Sequence, residues 1–202
     1  MLLRRHPSRI DRNQTEPAKG FEHLDQGAVV VLRWLRAAGL EFILVGPVAA
    51  ALRGQSCARG PVAIVPSPYS RNFERLERAL GAERVYARAD GAGPAGEPDL
   101  TPAKLTAEML ARGQLRTLRV GSLDLDLEGS ASGLPSYQDL LYEASRFDPA
   151  PDLSVEVASL EDIERYAHVR RTGIAPEITI RRQERPESEP AESKPAESDP
   201  AT

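Results

Sequence analysis

The stretch Glu41–Ser67, EFILVGPVAAALRGQSCARGPVAIVPS, constrains the fold more than any other part of this chain. Glu41–Val45 is a short, largely apolar run that reads as a buried strand. Gly46-Pro47 then turns the chain, and Val48–Arg53 predicts a small-residue helix that stops at Gly54. Val62–Val65 is a second buried strand, punctuated by Pro66 and Pro68. Strands interleaved with helices over one core make an α/β or α+β domain, not a bundle or a sandwich.

The flanking sequence continues the alternation. Leu24, Ala28, Val31, Leu32 and Leu35 recur at helical spacing and predict an amphipathic helix over 22–38, ending near Gly39. Ser70 or Asn72 caps a further helix whose Phe73, Leu76, Ala79 and Leu80 share a face. A brief strand at Val85–Ala87, a Gly/Pro-rich loop at Asp90–Pro98 and a helix capped by Thr101 through Leu110 follow. Leu115–Val120 and Leu123–Leu127 read as two strands or one bent hairpin about Gly121 and Ser122. Ser136 opens a helix, Leu153–Val157 is another strand, and Ser159 opens a last helix to about Arg171.

With 202 residues and 41% hydrophobic content, the chain can bury one good core. The expected organisation is a flexible segment at 1–19, one domain at 20–182 and a disordered Pro/Glu/Ser/Ala-rich tail at 183–202. Residues 1–19 carry five basic and two acidic side chains, and 183–202 carry six acidic and two basic, which places charge in tails rather than on a binding face. A net charge of −4, with few aromatics and no cluster of them among basic residues, gives no support to nucleic-acid binding. Cys57 is the single cysteine, and with His6, His23 and His168 far apart there is no zinc-ligand spacing. No apolar run has the length of a signal peptide or a membrane span, so a cytoplasmic location is expected. Walker loops, dinucleotide fingerprints, serine-hydrolase elbows and metalloprotease motifs are absent.

The order of FILVGPVAAALRG, IVPSPYSRNFERLERAL, LRVGSLDLDL, SYQDLL and VEVASLEDIERY resembles the nucleotidyltransferase-like superfamily, in particular its small bacterial toxin–antitoxin-type members. The resemblance covers Phe21–Arg171 and implies a mixed sheet packed by helices. It also implies that Gly46 is the phosphate-turn glycine, whose following helix would present free N–H groups to a nucleotide. Pro47 removes one such donor, leaving a vestigial turn.

In that superfamily an Asp–x–Asp/Glu pair on the second strand, with a third carboxylate on a later strand, holds Mg²⁺ for transfer at the α-phosphate. Alignment on Ile64-Val65-Pro66 puts Pro61 and Ala63 where the pair belongs, and residues 55–68 contain no Asp or Glu in any register. Asp124 and Asp126 alternate with three leucines and fall on one strand face, either as residual catalytic and metal ligands or as a solvated acidic face. The resemblance favours Asp124 as the third carboxylate, with Asp126 a close second. Asp90, Glu97 and Asp99 are the loop acids able to complete a relocated site. Cys57 beside Arg59 has no identifiable base, His168 has no identifiable partner, and Arg170 and Arg171 suit the C-terminal end of a helix.

The resemblance therefore implies a degenerate member: catalysis lost, no cofactor expected, the scaffold kept to bind a protein partner or a nucleotide-like ligand. One alternative is an active Mg-dependent nucleotidyltransferase using a nucleoside triphosphate and relocated acids. Another is a structural or assembly protein with a filled cleft.

Overall fold

The computed structural model describes residues 19–55, 60–83, 85–92, 98–102, 104–113, 116–120, 123–129 and 133–173. In chain order these form α1 (Gln26–Ala37), β1 (Phe42–Val45), α2 (Gly46–Leu52), β2 (Val62–Pro66), α3 (Ser70–Gly81), β3 (Val85–Ala92) and β4 (Pro98–Pro102). There follow α4 (Ala107–Ala111), β5 (Arg116–Val120), β6 (Leu123–Leu127), α5 (Tyr137–Glu143), β7 (Ser145–Ala150), β8 (Leu153–Val157) and α6 (Leu160–Thr172). The expected mixed α/β architecture is what these elements build.

All the described strands join one sheet in the order β4-β3-β5-β6-β2-β1-β8-β7. The two strands read from Glu41–Ser67 lie at its centre. Every residue of β1 is buried, because β1 is paired on both sides and covered on both faces. It runs antiparallel to β2, from Phe42 opposite Pro66 to Val45 opposite Ala63, and parallel to β8. In turn β2 runs parallel to β6, with Val62, Ala63 and Ile64 level with Leu125, Asp126 and Leu127. Residues level across neighbouring strands point to the same face, so Val45, Ala63 and Asp126 stand in a row.

Helix α1 starts where the Asp25 carboxylate accepts the Gly27 N–H at 2.7 Å, later than the sequence period implies. It buries Val29, Val30, Val31, Leu32, Trp34 and Leu35, more than one narrow stripe, because it crosses β2, β6 and β8. Helices α2 and α6 pack against each other and against β1. The Arg53 guanidinium, at the end of α2, donates to the carbonyls of Val157 and Ala158 and lies over the Phe147 ring, tying α2 to the end of β8.

Four local expectations are corrected. Thr101 does not cap a helix: it lies in β4, and Thr106 caps α4, accepting from the Met109 N–H at 3.3 Å. The segment read as a brief strand and a loop is instead a longer β3 to Ala92, with β4 from Pro98 paired back onto it. Strand β7 was not expected; it forms the edge beside β8, where Pro149 removes one N–H without breaking a central ladder.

The fourth concerns α3, which begins after Tyr69 with no side-chain cap from Ser70 or Asn72. Asn72 is buried and does other work: its amide donates to the Glu41 and Ser67 carbonyls and its oxygen accepts the Glu41 N–H, between 2.9 and 3.1 Å. This clasps the start of β1 to the exit of β2. Asn72→Ala orphans the Glu41 N–H and the Ser67 carbonyl, while the Glu41 carbonyl keeps the Ser67 N–H, and a loss of about 2 kcal/mol in urea unfolding is expected.

The two strands of Leu115–Leu127 do form an antiparallel pair, β5 with β6, while Gly121 and Ser122 lie outside the described residues. So do Cys57, Arg59, Glu97, residues 1–18 and the 183–202 tail. Among the described residues no helix is long and apolar enough to cross a membrane.

Candidate functional site

The turn from β1 into α2 sets the geometry. Gly46 has φ +71°, a left-handed conformation that glycine adopts without the steric cost of a Cβ. It also sits so close to β2 that a Cβ there would lie 2.8 Å from the Ala63 Cβ. Small residues at both positions let the turn press onto the sheet. Behind it α2 carries Pro47 in its first turn and no side-chain cap.

Directly beside Ala63 stands Asp126, with 0% of its side chain exposed. The structure thus brings Gly46, Ala63 and Asp126 together. Asp124 is one face-step back along β6, half-buried, and paired with Arg119 across the hairpin at 2.8 Å. Pro61 precedes β2 and is partly buried. Asp124 and Asp126 share a face as the alternation requires, but that face is not a solvated acidic one at Asp126.

The reason is Arg170. From the last turn of α6 its guanidinium reaches the Asp126 carboxylate and also lies 3.2 Å from Glu128. Its side chain is a third exposed, whereas those of Asp126 and Glu128 are almost wholly enclosed. The sequence reading of Arg170 as a helix-end charge misses this bridge. It also stops one residue short of Glu128, although the i, i+2 alternation that links Asp124 to Asp126 continues to it. The Glu128 N–H donates to the Ile64 carbonyl at 2.9 Å, so it extends the β2–β6 ladder.

Burial pushes the Glu128 carboxyl up to about 7; Arg170 opposes the shift and Asp126 reinforces it. A carboxyl raised in the folded state favours folding below its unfolded value and loses that contribution as pH rises through the folded one. Between about pH 4.5 and 7 the fold should therefore lose stability at this site. Glu128→Gln should match the parent near pH 4.5 and exceed it by about 3 kcal/mol near pH 8 in urea titrations.

Could the row hold a divalent cation? The Asp126 Oδ1 is buried and has no hydrogen-bond partner among the described residues, the one feature that would welcome a metal. The rest of the donor set does not fit. A hard cation takes about six oxygens, whereas Asp126 is flanked across the strands by the Ala63 methyl and by Thr117, with one hydroxyl, and faces a guanidinium. Among the described residues no group of three or more His, Cys, Asp or Glu side chains is placed to hold a metal. Asp90 and Asp99 lie on β3 and β4, beyond β5 from this row. His168 is half-buried on α6.

No protein-family model and no curated protein matches the chain. Among solved structures, one similar to it is described as a "putative nucleotidyltransferase" from Thermotoga maritima, with TM-score 0.42 and 15% identity, covering 71% of this chain and 86% of that one.

Proposed function

We propose that this chain is a nucleotidyltransferase-fold protein that no longer transfers nucleotides and serves as a binding scaffold. One observation carries the reading: the carboxylate beside Gly46 and Ala63 is neutralised from within the chain, by Arg170. Asp124 is engaged too, by Arg119. Nucleotidyl transfer needs positive charge on the triphosphate side of a carboxylate cluster, normally from metal ions. A fixed guanidinium can compensate the charge of Asp126, but it brings no open coordination position to an attacking hydroxyl.

The row supplies no general base either. Pro61 and Ala63 have no titratable group, and Asp126 is closed off from solvent. The turn at Gly46 offers a poor grip on phosphate, since Pro47 lacks an N–H. What this end of the sheet retains is shape.

The test is incubation with each labelled nucleoside triphosphate, Mg²⁺ or Mn²⁺ and cell lysate, beside an Asp124→Asn/Asp126→Asn variant. No label should transfer with either protein. Transfer by the parent that the variant loses would establish an active enzyme and overturn the proposal.

A further inference from the structure

A second site lies at the opposite end of β2 from the Gly46 turn. Gly46 follows Val45, which is level with Ala63, whereas this cleft opens at Val65 and Pro66. Three residue steps of strand separate the two ends, roughly 10 Å. The cleft has a volume of about 200 Å³ and is walled by the ends of β2 and β6, by α3, the end of α4, the start of α5, and Tyr166 of α6.

Its size, walls and polar groups each narrow the ligand. An apolar cavity of about 150 Å³ accommodates benzene, and whole drug-sized ligands need about 300 Å³ or more. The space within the walls of this cleft therefore fits one ring system. Phe73, Leu76, Leu110 and Leu127 supply apolar walls, and Tyr137 and Tyr166 add flat rings.

The Tyr166 hydroxyl is committed, donating to the Pro135 carbonyl at 3.0 Å, which fixes that ring as a wall. Glu128 supplies a carboxyl group to the lining, and only 8% of its side chain is exposed. Arg170 faces its Oε1, leaving Oε2 as a hydrogen-bond acceptor. An acceptor in an apolar slot selects a donor, and the apolar walls disfavour a charged ligand.

We infer that this cleft binds a small, uncharged planar aromatic or heteroaromatic ring carrying an N–H donor, with Glu128 accepting that hydrogen bond. The cleft shares Arg170 with Asp126, yet ligand binding here stands whether or not the protein transfers nucleotides, and the two are read by different assays.

Amide-resolved NMR titration of the full chain tests it, with adenine and indole as probes. The controls are 1-methylindole, which lacks the N–H, and benzoate. At least one N–H probe should bind with a sub-millimolar Kd and shift the amides of Leu110–Gly113 and Tyr137–Gln138. Methylation of indole, or Glu128→Gln, should weaken binding about tenfold. Glutamine at this position replaces one carboxylate acceptor with an NH₂ donor. Ala111→Trp, at an exposed lining position that should leave the core intact, should block the cleft. Failure of both probes to bind at millimolar concentration would overturn the inference. So would equal binding of indole and 1-methylindole, binding indifferent to Glu128→Gln and Ala111→Trp, or shifts confined to another part of the protein.

Discussion

Arg170→Ala should cost this protein about 3 kcal/mol of stability at neutral pH, the lower end of the range for stripping one partner from buried charges. Arg170 is the cation on two enclosed carboxylates, Asp126 and Glu128. Removing it strips the Asp126 carboxylate, wholly enclosed in the parent, of its compensating charge beside Ala63. The lower end applies because the guanidinium is itself a third exposed, so water entering its place recovers part of the loss. Asp126→Asn added to Arg170→Ala should restore stability, with a coupling energy of about 1–2 kcal/mol in a double-mutant cycle of urea midpoints. Strictly additive effects would mean that Arg170 packs on α6 without neutralising Asp126.

Gly46→Ala should be comparably damaging, by about 2–4 kcal/mol, through two separable causes. The first is backbone: at φ +71° any Cβ meets steric resistance. The second is space, because the new methyl would stand 2.8 Å from the Ala63 Cβ. Pairing it with Ala63→Gly removes the clash and keeps the backbone cost. The double variant should therefore recover about 1–2 kcal/mol relative to Gly46→Ala alone, and no more. Calorimetric or urea unfolding of the set measures both components. A single variant within about 0.5 kcal/mol of the parent would show that the turn can open away from β2.

These two positions also show how far the residues reveal the structure. Gly46 is legible because local chemistry determines it: an apolar run, a glycine, a proline and a small-residue helix admit few conformations. The β5–β6 pair is legible for the same reason, since strict Leu-Asp alternation predicts one buried face and one polar face. Strands β4 and β7 are harder to see. Pro98, Pro102 and Pro149 read as strand breakers, and they are accommodated because both strands are sheet edges.

Arg170 is not legible at all from local pattern. Its contact with Asp126 spans 44 residues of sequence, and helical spacing cannot say which strand the last turn of α6 will meet. Its position near a helix end offers a sufficient local explanation, which conceals the tertiary one. Asn72 is similar: a plausible cap by sequence, it becomes a clasp between β1 and β2 once the chain folds. In both cases a polar side chain's role is set by which buried backbone or charge needs a partner.

In the proposed reading, Arg170 is the internal cation that Asp126 has in place of a metal ion. Titration of the parent with Mn²⁺, followed by electron paramagnetic resonance of the free ion, tests it most directly. The expected result is no stoichiometric loss of the free-ion signal at millimolar protein, with Asp126→Asn indistinguishable from the parent. Binding of one or more Mn²⁺ per chain that Asp126→Asn abolishes would contradict the claim.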